Sequence, residues 1–426
     1  MNEFSPVIRT LFGSTGGGMV SSRLACVGGP GYLSVPAAPE SKRPAEMQMA
    51  YDLVIKNGTV IDPSQRLHEK RDIAVSGGKI VSVEPSISDN NARDVIEAEG
   101  LLVTPGLVDL HVHVWWGVAH LAIEADPHSL ARGATTVVDA GSSGANTFAG
   151  FKRYVIDHTH ARTLAFLHIS GMGQLDRDIG ELEDIRWARV EPAVETARHF
   201  ADSIVGIKVR LSEAIVGAND VVALGRAIEA ANHIKKPVMI HIGGTRHPLE
   251  EIFGKLRPGD IVTHSFTARP PGIITDSGKL LPAALEARKR GVIFDVGHGA
   301  GSFGFKVAEQ AMEQGFAPAT ISSDIHVYNL RGPVFDLVTT LSKFLHLGIP
   351  LDDVIALATL HPARAIGRLG EFGTLKPGSV ADISVLKLQE GPVTFVDAQG
   401  DRREGKRRLL PVVTVRAGHR HFAIQA

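Results

Sequence analysis

Two histidines, His111 and His113, close the run Gly106-Leu-Val-Asp-Leu-His-Val-His113. Side chains two apart on a strand point the same way, so both imidazoles can grip one metal ion. The pair follows Thr104-Pro105-Gly106 and ends an apolar run, where a barrel strand delivers residues to the face that carries chemistry. Lys208, His241, His264 and Asp324 each stand at the end of a later apolar run. Together the six read as a two-metal hydrolytic site.

Each residue also has a plainer reading. Neutral imidazoles suit zinc and its neighbours, with His111 and His113 on a first ion and His241 and His264 on a second. His241 and His264, taken singly, read more readily as satisfied core histidines. Lys208 sits inside Ile204-Val-Gly-Ile-Lys-Val-Arg210, where burial of a charge is expensive and lowers its pKa toward the neutral amine. A neutral amine can take up carbon dioxide, and the resulting carbamate offers two oxygens to bridge two divalent ions. The alternative is a lysine that reaches its ammonium to the rim or pairs with a carboxylate. Asp324, in Thr320-Ile-Ser-Ser-Asp-Ile-His326, can bind the first ion and accept a proton from a metal-bridging water, or cap the next helix. The resulting hydroxide would attack an acyl carbon without a nucleophilic serine or cysteine.

Substrate contacts are expected from His298, in Gly297-His-Gly-Ala-Gly301, and from Arg210, which shares the face of Lys208. His298 either hydrogen-bonds the substrate or holds its own loop. Arg210 either clamps a carboxylate or pairs with a barrel acid. The loops Gly141–Asn146 and Gly243–His247 flank the same strand ends, and Trp115 and Trp116 either wall a pocket or pack the barrel mouth.

These residues require a scaffold. Strand-like runs at Leu107–His113, Ala134–Ala140, Thr163–Ile169, Ile204–Arg210, Pro237–Ile242, Ile261–His264, Val292–Val296 and Thr320–Asp324 alternate with helix-like segments such as Asp220–Lys235 and Lys279–Arg290. Eight such strands close a (β/α)8 TIM-like barrel; a doubly wound open sheet is the structural alternative. Short β runs at Asp52–Lys56, Thr59–Asp62, Asp72–Val75 and Lys79–Val83 return in kind at Ala381–Leu386, Pro411–Val415 and His421–Ile424. They predict a small β-sandwich domain assembled from both termini. The expected organisation is a disordered extension over 1–48, β-sandwich over 51–104, hydrolase barrel over 105–370 and β-sandwich again over 371–426.

Composition narrows the classes. Across 426 residues, 45 Lys and Arg face 46 Asp and Glu, which gives no basic stripe to track nucleic acid. The local cluster Asp401–Arg408 reads as a solvated loop. One cysteine, Cys26, excludes an intramolecular disulfide framework and a cysteine-based zinc site, and fits a reducing, cytoplasmic location. No apolar stretch approaches the roughly 20 residues of a membrane helix. The expected partner is a small-molecule substrate, with neither nucleic acid nor a membrane; a homo-oligomer is common for such barrels, but nothing in the sequence fixes a symmetry.

Residues 51 to 426 resemble the amidohydrolase superfamily. Pro105–His113 is similar to its first-strand signature, and Gly373–Asp382 to its return into the small domain. By position, Lys208, His241, His264 and Asp324 match its carboxylated lysine, later histidines and last-strand aspartate. Within it, His111–Gly117, Gly206–Arg210, Phe294–Gly299 and Thr320–His326 resemble dihydroorotase-like metallo-deacetylases acting on N-acyl amino acids and acetylated α-hydroxy acids. That resemblance implies two divalent ions, most simply zinc, and carbon dioxide held as the Lys208 carbamate. True dihydroorotases usually carry an arginine two residues after the second histidine, where this chain has Trp115. A cyclic-amide hydrolase of the dihydroorotase or hydantoinase type is the enzymatic alternative, and a non-catalytic scaffold of the same fold is a third.

Overall fold

The computed structural model describes residues 51–422, so the expectation for residues 1–48, together with Cys26, lies outside the described residues. Five strands open the described chain: β1 (Tyr51–Asp62), β2 (Leu67–Ser76), β3 (Lys79–Glu84), β4 (Ala92–Glu97) and β5 (Leu102–Pro105). Seven follow, alternating with helices: β6 (Leu107–Val112), β7 (Ala134–Gly144), β8 (Arg162–His168), β9 (Ile204–Arg210), β10 (Val238–His241), β11 (Ile261–Thr263) and β12 (Ile293–Phe294). Three end it: β13 (Ile383–Val396), β14 (Arg402–Arg416) and β15 (His419–Phe422).

Strands β6 to β12 pair in chain order, each parallel to the next, as crossover helices such as Asp220–Ile234 require. The expected eighth strand, Thr320–Asp324, forms no ladder. It makes single bridges instead, Thr320 to Asp295 on one side and Ile325 to Val112 on the other. Asp324 adopts φ 48, which breaks the extended course, and side chains replace backbone partners: Ser323 N–H donates to Asp109 Oδ1 at 2.9 Å. The bridges still join the last segment to β6, so the sheet curls into a TIM-like barrel and the open-sheet alternative falls.

Both termini build the second sheet, in the order β15-β14-β13-β5-β1-β2-β3 with β4 beside β1. Its own apolar core joins Ile55, Ile73, Val103, Val385 and Val413 from the two chain ends. The runs Asp52–Lys56 and Thr59–Asp62, expected as separate strands, are one strand, β1, with an irregularity at Asn57-Gly58 and Asn57 at φ 61. The cluster Asp401–Arg408, expected as a loop, lies mostly in β14. It pairs with β13 while leaving most of its charged side chains exposed.

The long β13–β14 hairpin reaches well past the small sheet. Only Ile383–Leu386 of β13 pair with β5. Its far end meets the barrel loops: Phe305 N–H donates to Asp397 Oδ2 at 2.8 Å, Ala398 N–H to the Phe303 carbonyl at 3.1 Å, and Arg403 pairs with Glu309 at 2.7 Å. Among the described residues no helix is long and apolar enough to cross a membrane.

Asp382 links the two sheets. Its carboxylate pairs with Arg162 at the start of β8 and with Arg416 at 3.3 Å, and its carbonyl accepts from Gly106 N–H at 2.8 Å. Removing the acid leaves two guanidinium groups facing each other in a largely buried seam. Asp382→Ala is expected to lower unfolding free energy by about 3 kcal/mol, read by urea denaturation; an unchanged midpoint would show that the seam contributes nothing.

Candidate active site

His111, His113, Lys208, His241, His264 and Asp324 all line one cavity of about 140 Å³ at the ends of the barrel strands. The pleat turns His111 and His113 the same way, and their Nε2 atoms stand 3.3 and 3.2 Å from Asp324 Oδ1. One ligand atom from each of these three lies within 4.8 Å of the others, close enough to surround a metal ion. The ring of His264 lies 4.3 Å from that of His241 and 4.9 Å from that of His111, centre to centre. Lys208 is 1 % exposed and its Nζ has no hydrogen-bond partner among the described residues. Room for its stem comes from Gly141, where a Cβ would stand 2.6 Å from Lys208 Cγ.

The imidazoles are aimed by groups behind them. Asp295 accepts hydrogen bonds from Thr263 (2.7 Å), Thr320 (2.7 Å) and Ser322 (2.6 Å). Thr263 Oγ1, with its hydrogen given to Asp295, accepts from His111 Nδ1 at 2.9 Å, which leaves the Nε2 lone pair facing Asp324. His264 Nδ1–H donates to the Gly297 carbonyl at 2.6 Å, and His113 Nδ1 meets Ser142 Oγ at 2.9 Å. His264 (φ 65) and Asp324 (φ 48) hold left-handed backbone conformations that only glycine adopts freely, strain gathered where the donors converge.

Burial sets the protonation states. It holds His111, His113 and His241 well below the usual imidazole range, and His264 down to about 4 against the pull of Asp324. All four therefore present neutral nitrogens near neutral pH. Burial likewise brings Lys208 down to about 7, with Asp324 opposing, so the uncharged amine is accessible. Burial raises Asp139 to about 6, although donors from Val114, Ser142 and Gly141, including Val114 N–H at 2.8 Å, oppose it.

The two expected substrate contacts fare differently. His298 faces away from the cavity and is fully buried. Its Nδ1–H donates to the Gly299 carbonyl at 2.9 Å, its Nε2 accepts from Lys343 at 2.7 Å, and its ring stacks on Phe303 at 4.6 Å. With both nitrogens taken, it holds its loop and leaves no hydrogen bond for a substrate. Arg210 does line the cavity, but its guanidinium pairs with buried Glu181 at 3.4 Å and donates to Gln174 Oε1 at 3.3 Å. Burial favours the acid form of Glu181, but Arg210 and His168 outweigh it and hold the carboxyl at about 2.

Trp115 packs on Phe151 at 5.7 Å and Trp116 is exposed, and neither lines the cavity. Sequence reasoning missed Arg269, Gln174 and His326, which do. All three lie in loops, where no period marks a direction. Asp139 and Asp295 carried a usable signal, a carboxylate inside an apolar strand run, the same anomaly that singled out Lys208.

Residues 102–414 match the amidohydrolase family. The chain is 36% identical over 342 residues to a deacetylase of Agrobacterium fabrum, covering 80% of this chain and 84% of that one. It is 33% identical over 375 residues to a deacetylase of Enterococcus faecalis, covering 87% and 99%. A solved structure described as a dihydroorotase superposes with a TM-score of 0.82 at 32% identity, covering 88% of this chain and all of that one. With the barrel, the second sheet and the convergent histidines in place, the chain is a hydrolase belonging to the amidohydrolase family.

Proposed function

We propose that the chain hydrolyses an amide or ester bond joining a small acyl group to a carboxylate-bearing amine or alcohol, an N-acyl amino acid or an acetylated α-hydroxy acid, in a cytoplasmic setting. The six cavity residues would hold two divalent ions, zinc by the chemistry of the donors. His111, His113 and Asp324 would hold one ion and His241 and His264 the other, and the Lys208 carbamate would supply an oxygen to each. The observation that carries this reading is the Lys208 amine, buried beside the four histidines with no hydrogen-bond partner among the described residues. Its nitrogen lone pair adds to carbon dioxide with loss of one proton, which gives an anionic carbamate with two oxygens.

When bound, the two ions supply Lewis acidity to a carbonyl oxygen and to a water molecule. The side chains do the rest. Asp324 directs Oδ1 at the histidine pair while Oδ2 lies over Gly299, so the carboxylate can take a proton from water and return it to the leaving nitrogen or oxygen. The cavity volume, about 140 Å³, suits an acyl group as small as acetyl. It adjoins a groove of about 740 Å³, and Arg269 lines both. Arg269 is exposed and has no ion pair among the described residues, whereas Arg210 is held by Glu181. Arg269 is thus the cation available to a substrate carboxylate.

Ring opening of a cyclic amide is the second reading, favoured by the likeness to the structure described as a dihydroorotase. Elemental analysis with a screen of N-acetyl amino acids of both hands, acetylated hydroxy acids and cyclic amides decides between them. About two zinc per chain and turnover of an acetylated acid is the expected result. Absence of metal, and of activity after adding zinc and bicarbonate, would overturn it.

Two substitutions test the assigned roles. Lys208→Ala should lose metal and about 100-fold in turnover, with partial recovery when a short carboxylic acid is added; full activity without it removes the bridging role. Arg269→Met should raise KM for a carboxylate substrate about tenfold, the scale of one charge-assisted hydrogen bond, and leave KM for the matching methyl ester unchanged. Equal effects on both substrates would mean that Arg269 does not read the carboxylate.

A further inference from the structure

Lys343, in the helix Leu337–His346, is a second buried lysine, 1 % exposed and outside the cavity. Its Nζ stands 2.7 Å from each of three acceptors: His298 Nε2, the Pro333 carbonyl and the Val396 carbonyl. His298 Nδ1 lies 2.9 Å from a carbonyl oxygen and must carry the imidazole proton, so Nε2 is an acceptor. Three acceptors match the three hydrogens of an ammonium. Burial brings Lys343 down to about 7, as it does Lys208, but the three acceptors offer a partner to every hydrogen of its charged form, whereas Lys208 has no partner among the described residues.

The three partners come from separate segments. Val396 ends β13, at the tip of the long hairpin; Pro333 follows the strand-like segment that carries Asp324; His298 lies in the loop after β12. In Gly297-His298-Gly299 only the central residue has a side chain, and it points at Lys343. Its glycine neighbours face the other way. The Gly297 carbonyl accepts from His264 Nδ1 at 2.6 Å, and Gly299 lies so near Asp324 that a Cβ there would stand 2.4 Å from Oδ2. Gly299 N–H also donates to the Ser323 carbonyl at 3.0 Å, beside Asp324.

We infer that Lys343 and His298 form a positioning couple that sets the orientation of His264 and Asp324, and that ties this orientation to the tip of the C-terminal hairpin. The couple acts through the backbone of Gly297 and Gly299 and never meets substrate. It rests on the proposed reading of His264 and Asp324 as metal ligands.

Two length-matched replacements isolate the acceptor. His298→Gln keeps an oxygen that can accept from Lys343, and His298→Met keeps the bulk without it. Metal affinity is measured on both by competition with a chelator, alongside thermal unfolding of the metal-free chain and amide hydrogen exchange over residues 297–302. His298→Met should weaken metal binding 10- to 100-fold, the scale of losing a group that orients a ligand, and speed exchange in this loop. His298→Gln should recover most of both. Lower metal-free stability with unchanged metal affinity and exchange would reduce the couple to ordinary packing and overturn the inference. So would equal metal binding by the two variants.

If the wild-type chain bound no metal, the metal reading alone would fall, because the exchange rates in His298→Met still test the anchor. Should His298→Met not fold, nitrogen NMR of the wild-type His298 ring replaces it. A proton on Nδ1 supports the couple, and a proton on Nε2 overturns it.

Discussion

The Asp324 N–H donates to the His111 carbonyl at 2.7 Å, and His113 N–H donates to the Ile325 carbonyl at 3.2 Å. These two bonds cross the seam where the last segment of the barrel meets the first strand. A parallel sheet of seven strands would otherwise expose two edges, and the site would be split between them. Closure brings the aspartate from the end of the barrel against a histidine pair more than 200 residues earlier. The irregular backbone of Thr320–Asp324 follows from the same seam, because a continuous ladder would keep Asp324 extended and aim its carboxylate elsewhere.

Inside the closed ring, removal from water does most of the electrostatic work. Four imidazoles and one amine crowd a small cavity, and burial disfavours the charged form of each. A cluster that would be mutually repulsive as cations becomes a set of lone pairs. The acids that could neutralise such cations are used differently. Asp295 is spent on three hydroxyl donors, one of which turns His111, and Asp139 accepts from backbone and Ser142 N–H groups behind His113. Lys208 keeps no hydrogen-bond partner among the described residues, an expensive arrangement for a fold unless something else completes it.

Lys343 shows the contrary solution. It is buried as deeply as Lys208, but three acceptors from three segments surround it. The hairpin that carries one of them belongs by its base to the small sheet and by its tip to the barrel. Asp382 makes a similar connection at the opposite end of that hairpin, through Arg162 and Arg416. These two contacts tie the small sheet to the barrel, and one of them lies next to the loop that lines the cavity.

Much of the site was legible in the sequence because strand geometry is local. Alternation along Leu107–His113 places two imidazoles on one face whatever surrounds them, and a lysine in Ile204–Arg210 is anomalous wherever that strand lies. The order of parallel strands follows from the alternation of apolar runs and helices. Direction within loops does not: nothing local says that His298 turns toward Lys343, that Arg210 meets Glu181, or that Arg269 reaches the cavity. Those choices depend on which groups from distant segments arrive to satisfy a buried polar atom, and only the tertiary structure brings them together. The sequence by itself determined the parallel barrel and the donors at its strand ends, because both rest on periodicity. Tertiary packing decided which donors are aimed, which charges are paired and which side chains from the loops reach the cavity, because partners far apart in the chain set each of these.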